Sequence, residues 1–246
     1  MPLHIAGSNS LAGIDAEWLE AIPPMSLSRV LDYVVATWRA LVKEWPNQHC
    51  FSNSEPILSL SLGQRLNELK RKRKAGVSGA FLAEALEPVR DGGVVQQHGR
   101  TDIKFVLGDI GAPELIIECK KLDGTGAKRT LYCTEGIARF VSGKYAADYG
   151  HGVMLGFCRN SASQESTYLQ NLLGTSAIVA TCNSLPFGGG HFTLHPSEIC
   201  PTLASFDTRH KRSDCVTPFQ IAHLLLDAPE LVGDGTPTSP PSLALQ

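Results

Sequence analysis

The stretch 99-GRTDIKFVLGDIGAPELIIECKKL-122 decides the interpretation of this sequence. It predicts two short strands that are joined by the turn GDIGAP. Because successive side chains of a strand point to opposite faces, Glu118 and Lys120 share one face of the second strand. The other face carries the apolar residues Leu115, Ile117 and Cys119. Charged groups among aliphatic residues are costly to bury, so this hairpin is the first place to look for a function.

The first strand of the hairpin carries Asp102, and its relation to Glu118 depends on the strand register. One register places the two acids directly opposite each other, with Cβ atoms roughly 5 Å apart. The alternative register turns them to opposite faces of the sheet. Two close carboxylates repel each other unless one is protonated or a cation lies between them. A metal site therefore requires the first register.

The donor atoms of this motif indicate which ion would bind. Oxygen ligands without a His or Cys side chain favour Mg²⁺ or Mn²⁺ over zinc, with Asp102 and Glu118 as ligands and the backbone carbonyl of Cys119 as a third. Lys120 would orient or help to deprotonate a water beside the metal and stabilise the transition state of phosphodiester cleavage. The alternative is an ion pair between Lys120 and either acid on an exposed edge strand. The apolar neighbour Ile116 on the same face favours burial.

Asp102, followed sixteen positions later by Glu118-Cys119-Lys120, resembles the motif of the PD-(D/E)xK nuclease superfamily, which has the restriction-endonuclease-like fold. The resemblance implies a core of a helix, a three-stranded antiparallel meander, a second helix and a fourth strand, an order that residues 55–158 supply. It also implies cleavage of nucleic acid with Mg²⁺ bound by Asp102 and Glu118. Lys120 would be the catalytic lysine.

Many members of this superfamily also carry a glutamate on the first core helix that reaches the metal through water. Glu55 is the best match, ahead of Glu68 and Glu84. Thr101 stands where the eponymous proline would be, a position that varies in the superfamily. The segment LYCTEGIARFVSGKYA, residues 131–146, is similar to the helix that follows the motif in some bacterial restriction- or defence-associated nucleases. The resemblance therefore implies a role in restriction or phage defence.

The composition of the chain limits the class of protein to which it can belong. The 246 residues are 43% hydrophobic and 19% charged, which is ordinary for a globular protein. A formal net charge of −2 predicts no global attraction to nucleic acid, so a basic binding surface would be local. Seven dispersed cysteines without a CxxC pair indicate reduced thiols. With neither a signal-like N-terminus nor a long apolar stretch, the sequence predicts a soluble, cytoplasmic protein without a membrane segment.

The order of predicted elements indicates an α/β fold with a central mixed sheet flanked by helices. We expect a helical extension over residues 1–50, a nuclease-like domain over 51–232 and a flexible tail over 233–246. Apolar spacing predicts helices over residues 16–22, 28–45, 55–75, 130–145 and 161–173. Short apolar or alternating runs predict strands over residues 91–99, 152–158, 177–182, 191–196, 203–210 and 218–227, whereas residues 78–88 are transitional.

Charged groups outside the hairpin are candidates for contact with nucleic acid. The alternatives are a solvated helix end, a surface ion pair between Glu135 and Arg139, and a polar turn. The candidates are Lys70, Arg71, Lys72, Arg73, Glu135, Arg139, Lys144, Arg209, His210 and Arg212.

The sequence as a whole predicts a Mg²⁺-dependent endonuclease that hydrolyses phosphodiester bonds, with DNA as the expected substrate and RNA as an open alternative. Two alternatives stay open: a catalytically silent, nuclease-like subunit that binds nucleic acid or protein, and a structural subunit of a defence complex. A homodimer is expected by analogy. A zinc site at His191, His195 and the dispersed cysteines is not favoured, because their spacing matches no zinc motif.

Overall fold

One mixed β-sheet forms the centre of the fold. The computed structural model describes residues 24–91, 94–107, 114–146, 150–200, 206–213 and 216–230. Within these ranges, seven strands form the sheet in the order β1-β2-β3-β4-β7-β6-β5. The strands are β1 (Ala80–Asp91), β2 (Val94–Val106), β3 (Glu114–Leu122), β4 (His151–Cys158), β5 (Ser184–Leu185), β6 (Phe206–His210) and β7 (Phe219–Asp227).

Helices flank this sheet. They are α1 (Pro24–Glu44), α2 (Glu55–Leu66), α3 (Leu69–Ala75), α4 (Gly126–Leu131), α5 (Ala138–Val141), α6 (Ala162–Leu173) and α7 (Ser176–Thr181). A π-helical segment, Tyr132–Ile137, connects α4 to α5. In the part of the chain that the structure describes, no helix combines the length and the apolar character that crossing a membrane requires.

Strand β3 lies between two apolar clusters. Ile117 and Cys119 belong to the cluster that includes the buried residues of α1 and α2. Ile116 and Leu122 belong to the cluster that includes the π-helical segment and α6. The side chains of a strand alternate between its faces, so these two clusters cover both faces of β3. A charged residue on β3 is therefore largely removed from water.

The strand directions place the candidate hairpin inside the sheet, where β3 lies between β2 and β4. Strands β1, β2 and β3 form an antiparallel meander. The chain then passes through α4 and α5 into β4, which is parallel to β3, and β4 is in turn parallel to β7. Residues 55–158 therefore contain the predicted order of helix, three-stranded meander, helix and strand. The predicted α/β architecture with a mixed sheet is confirmed.

The helix predicted over residues 55–75 is two helices, because Asn67 interrupts it. The side chain of Asn67 pairs with the backbone of Phe81: its Oδ1 accepts a hydrogen bond from the Phe81 N–H at 2.9 Å, and its Nδ2 donates to the Phe81 carbonyl. The amide thus imitates a neighbouring strand at the start of β1. An asparagine whose side chain competes with the backbone in this way favours a helix end over a helix interior.

Three other predictions of secondary structure are wrong. Residues 78–88, interpreted as transitional, contribute most of strand β1. Residues 177–182 lie mainly in helix α7, where Ile178 and the following Cys182 pack into the apolar cluster and override the strand preference of the β-branched residues. Residues 191–196 contain one isolated bridge, between Leu194 and Asp207, in place of a strand.

The helix predicted over residues 130–145 differs at both ends. It begins at Gly126, because the Thr125 side chain accepts a hydrogen bond from the Lys128 N–H at 3.3 Å and caps the first turn. Its last part, α5, ends at Val141, and Gly143 follows with a positive φ of 73°.

Helix α1 packs into the same core as the rest of the chain. The indole Nε1 of Trp38 donates to the carbonyl of Asp227 at 2.8 Å, and the hydroxyl of Tyr33 donates to the carbonyl of Leu66 at 3.0 Å. Three predicted features lie outside the described residues: the short helix over 16–22, the hairpin turn over 108–113 and the tail over 233–246.

Candidate functional site

The candidate site lies where β2 separates from β3. Ile103 is paired with Ile117, the register that places Asp102 across from Glu118. The predicted register is therefore confirmed. The pairing between the two strands ends at this point, although β3 continues to Leu122 and stays paired with β4 on its other side.

Two carboxylates satisfy the edge of β3 that β2 leaves open. The N–H of Cys119 donates to Asp102 Oδ2 at 2.7 Å, and the N–H of Lys121 donates to Glu55 Oε2 at 2.9 Å. Both are charge-assisted hydrogen bonds, which are stronger than those of a strand ladder. The two acids thus take the place of a neighbouring strand and are fixed close to the backbone of the motif.

The ammonium of Lys120 lies among three oxygen acceptors. Its Nζ is 2.6 Å from Glu118 Oε1 and 3.0 Å from the carbonyl oxygen of Cys119. The third acceptor is Glu55 Oε1, at 3.2 Å. Only 12% of the Lys120 side chain is exposed, so its ammonium is largely shielded from water.

Glu118 is the most buried member of the cluster, with no exposed side-chain surface. Its Oε1 accepts hydrogen bonds both from Lys120 Nζ and, at 2.5 Å, from Arg139 Nη1. Its Oε2 is buried and has no hydrogen-bond partner among the described residues. A buried carboxylate oxygen without a partner is costly, and it is the position at which a bound cation would be most stabilising.

Burial and mutual repulsion shape the ionisation of these groups. Burial, with the Asp102 carboxylate, raises the pKa of Glu118 to about 7, while Lys120 and Arg139 act against that rise. Burial also raises the pKa of Asp102, against the effect of the hydrogen bond from the Cys119 N–H. For Lys120, burial opposes the charged form, but the surrounding carboxylates prevail and raise its pKa to about 12. Lys120 is therefore an ammonium at neutral pH.

The loop before α2 positions Glu55, and no sequence motif indicates this loop. The Nζ of Lys121 donates to the carbonyls of Phe51 and Asn53, at 2.5 Å and 2.7 Å, and lies 4.2 Å from the centroid of the Phe51 ring. These contacts fix the chain just before α2, whose first residue is Glu55. Because side chains alternate along a strand, Lys121, the second lysine of ECKK, must point away from Lys120. This alternation is the one sequence signal that could have indicated its separate role.

The π-helical segment brings Arg139 to the site. Gly136 lies against Met154 and the aliphatic part of Lys120, and a Cβ at this position would clash with Met154 Cε. A π-helical turn contains one extra residue, and together with this close approach it places the next turn over Glu118. In that turn, Arg139 also donates to the hydroxyl of Tyr145 at 3.1 Å. Neither the π-helical turn nor the role of Tyr145 follows from the spacing of apolar residues.

The structure brings together most of the motif-derived candidates. Asp102, Glu118, Lys120, Glu55 and the carbonyl of Cys119 meet at the free edge of β3, as described above. The ion pair offered as the alternative interpretation exists, but it is buried and not at an exposed edge. The surface ion pair within the helix is replaced, because Arg139 binds Glu118 while Glu135 and Lys144 are exposed.

The basic run on α3 divides into exposed and engaged residues. Lys72 is buried, and its Nζ donates to the Gly79 carbonyl at 2.7 Å, so it does not present its charge to a ligand. Arg71 pairs with Glu44 at 2.6 Å. Lys70 and Arg73 are exposed.

The surface role predicted for His210 and Arg212 does not fit their positions, because both are buried. His210 Nδ1 lies 2.8 Å from the carbonyl oxygen of Cys182, and Arg212 Nη1 donates to the carbonyl of Ala146 at 2.7 Å. Their polar atoms support the fold around β6. Arg209, by contrast, is partly exposed.

Within the described ranges, no group of three or more His, Cys, Asp and Glu side chains is arranged to hold a metal ion. The donor set of the site is different: it consists of the carboxylates of Asp102 and Glu118 and the backbone carbonyl of Cys119. Comparison of the chain with protein-family models, with curated proteins and with solved structures gives no match. The case for a function therefore depends on the residues of the site.

Proposed function

We propose that this chain is a Mg²⁺-dependent endonuclease of the PD-(D/E)xK type, which hydrolyses phosphodiester bonds in DNA. The observation that carries the proposal is the buried cluster at the free edge of β3. There, Lys120 Nζ lies within 3.2 Å of three oxygen atoms, and Asp102 lies across from Glu118. A buried cluster of this kind is costly for stability alone, which favours a functional origin.

The donor atoms fit a hard divalent cation. Asp102, Glu118 and the carbonyl oxygen of Cys119 would hold it, and Glu118 Oε2 is a buried acceptor that lacks a partner among the described residues. The ammonium of Lys120 already lies between oxygen atoms of this set, so a positive charge is stabilised at this position. When bound, Mg²⁺ would act as a Lewis acid toward the phosphate and lower the pKa of a bound water.

Lys120 contributes as a cation. In the metal-free protein the surrounding carboxylates raise its pKa to about 12, so it is a hydrogen-bond donor there. Its charge would orient that water and stabilise the negative charge that develops on the phosphoryl oxygens. The nearby Glu55, fixed by the Lys121 N–H, would keep Lys120 oriented.

Cleavage assays test the proposal directly. Purified protein is incubated with plasmid DNA and, separately, with RNA, in MgCl₂ or in EDTA. We expect cleavage of DNA in MgCl₂, and a loss of at least about 100-fold in both Glu118→Gln and Lys120→Met. The first variant weakens the metal site, and the second removes the cation that stabilises the developing negative charge. The exposed residues Glu230 and Lys128 provide the matched controls Glu230→Gln and Lys128→Met, which should retain full activity.

Equal activity in the parent protein and in the Glu118 and Lys120 variants would contradict the proposal, since it would point to a contaminating nuclease. Binding of DNA without cleavage, in a protein that also fails to bind Mg²⁺ or Mn²⁺ by calorimetry, would identify the catalytically silent alternative. Activity that requires a companion protein would identify a subunit of a larger complex.

A further inference from the structure

Arg139 lies at the boundary between the buried cluster and solvent. Its side chain is 33% exposed, whereas Glu118, the carboxylate that it contacts at 2.5 Å, has no exposed surface. Its Nη1 also donates to the hydroxyl of Tyr145, which belongs to a buried ring packed against Phe140. One edge of the guanidinium is therefore fixed inside the site while part of the side chain is accessible.

Two cations already contact Glu118 at the oxygen beside the one on which a metal would bind. Lys120 and Arg139 both donate to Glu118 Oε1. A divalent cation on Glu118 would repel both of them in a low-dielectric environment, where such repulsion is strong. Lys120 has other acceptors in Glu55 and in the carbonyl of Cys119. Arg139 is the more exposed of the two, so it is the cation that can turn away.

The formal charges of the site indicate that it would attract an anion once a metal is bound. Glu55, Asp102 and Glu118 supply three negative charges, and Lys120 and Arg139 supply two positive ones. The ionised cluster thus carries a net charge of −1, and a divalent cation would change it to +1. A phosphodiester group carries one negative charge, so it would neutralise the loaded site.

We propose that Arg139 couples metal binding to substrate binding. It neutralises Glu118 in the metal-free protein, and it transfers its hydrogen bonds to the phosphodiester anion when a divalent cation occupies that carboxylate. The inference rests on the proposed function and extends it to the order in which the site fills. The Tyr145 hydroxyl keeps the guanidinium near the site during this exchange. Planar guanidinium groups are well suited to phosphate oxygens.

Binding of the metal and binding of the phosphodiester are linked thermodynamically. If the metal raises the affinity for the phosphodiester, then the phosphodiester raises the affinity for the metal by the same factor. Removing Arg139 should weaken this reciprocal effect, leaving only the part that the metal's own attraction for the phosphate supplies. It should also strengthen metal binding in the absence of nucleic acid, because the competing cation on Glu118 is gone. A purely structural ion pair predicts the reverse, since losing it would loosen the site.

The test is a calorimetric titration with Mn²⁺ in the absence of nucleic acid. We expect Arg139→Gln to bind Mn²⁺ about tenfold tighter than the parent protein, and Arg139→Lys, which keeps the charge, to remain close to the parent. Arg159 supplies the matched control: it is an exposed arginine whose Nε is 2.6 Å from Glu230 Oε1. Arg159→Gln should leave the affinity unchanged. Thermal unfolding of each variant verifies that it folds.

A second measurement follows a fluorescently labelled DNA duplex by anisotropy, in EDTA and in Ca²⁺, with a gel of the same sample to verify that the duplex is intact. We expect Ca²⁺ to raise the DNA affinity of the parent protein by about 5- to 150-fold, the usual range of such coupling. In Arg139→Gln this rise should be several-fold smaller, because only the metal itself then attracts the phosphate.

The outcomes separate the coupling from the proposed function. If Arg139→Gln binds Mn²⁺ no tighter than the parent protein, or shows the same rise in DNA affinity as the parent protein, the coupling role is overturned while the nuclease proposal stands. If neither the parent protein nor Arg139→Gln binds Mn²⁺, both proposals are overturned.

Discussion

The backbone N–H of Cys119 donates a hydrogen bond to Asp102 Oδ2 at 2.7 Å, at the point where β2 leaves β3. Asp102 thus does two jobs. Its carboxylate completes the hydrogen bonding of an open strand edge, and it places negative charge across from Glu118. A variant of Asp102 can separate the two jobs, because an amide oxygen accepts a hydrogen bond but carries no charge.

We predict that Asp102→Ala lowers the free energy of unfolding by about 1–3 kcal/mol, because the N–H of Cys119 loses its acceptor. Asp102→Asn should cost less, since its amide oxygen can still accept. Both variants should lose Mn²⁺ binding. Urea unfolding gives the stabilities and calorimetry gives the affinities. If Asp102→Asn were as destabilising as Asp102→Ala, the hydrogen bond to Cys119 would not be the structural contribution of this residue.

Lys121 is the subject of the second prediction. Its ammonium donates to two loop carbonyls, those of Phe51 and Asn53, just before the helix that begins at Glu55. Lys121→Met removes both bonds but leaves the backbone N–H that binds Glu55. We expect a loss of about 2 kcal/mol in the free energy of unfolding, measured in urea.

The control for this experiment is Lys128→Met, at an exposed lysine on α4. It should leave the stability within about 0.5 kcal/mol of the parent protein. If Lys121→Met behaved like this control, the loop would not depend on Lys121. We also expect a smaller loss of cleavage activity in Lys121→Met than in Lys120→Met, because Glu55 keeps its partner in the backbone.

Much of the site follows from local sequence, because period-2 alternation and a short hairpin leave few arrangements. Alternation fixes Glu118 and Lys120 on one face of β3, and only two registers connect that face to Asp102. The first of these is the one observed. These features depend on residues that are close in sequence. Glu55, by contrast, is indicated only by the family resemblance, and it lies at the start of a helix that packs on the same sheet.

The remainder depends on contacts between distant residues, which periodicity does not encode. Asn67 interrupts a helix because its amide meets Phe81, fourteen residues away. The strand preference of residues 177–182 yields to packing against the π-helical segment. Arg139 reaches Glu118 only through the extra residue of the π-helical turn. Propensity is a weak guide wherever tertiary contacts of this kind decide the outcome.

Metal binding should stabilise the folded protein, and this is the third prediction. A ligand that binds only the folded state adds about 2.7 kcal/mol at a concentration 100 times its dissociation constant. We therefore expect Mn²⁺ to raise the melting temperature of the parent protein but not that of Glu118→Gln. Glu135→Gln, at an exposed site, should behave like the parent protein. An equal rise in all three proteins would show that the ion binds elsewhere.

The fourth prediction concerns acid. A buried chain of hydrogen-bonded groups connects β6 and β7: the Thr208 hydroxyl lies 2.8 Å from His223 Nε2 and 2.7 Å from His210 Nε2. Tyr132 lies at 2.9 Å from the other ring nitrogen of His223. Burial lowers the pKa of His210 to about 4 and that of His223 well below its usual range. Both rings are therefore neutral in the folded protein at neutral pH.

The sign of the effect follows from linkage. Above pH 6.5 these histidines are neutral in both states and contribute no pH dependence. Between pH 6.5 and 4 the unfolded chain binds protons that the folded protein excludes, so their contribution to stability falls as the pH falls. For His210 alone, the loss amounts to at most about 3 kcal/mol. Glu118, whose pKa is raised to about 7, contributes with the opposite sign, so variants must be compared with each other.

Urea unfolding at pH 7.5, 6 and 5 measures this contribution. We expect His210→Gln to be less stable than the parent protein at pH 7.5 and the difference to narrow as the pH falls, because the variant lacks one of the two buried histidines. His191→Gln, at an exposed histidine, should run parallel to the parent protein throughout. If the difference between His210→Gln and the parent protein did not change with pH, burial would not lower the pKa of His210 in the folded protein, and the prediction would be wrong.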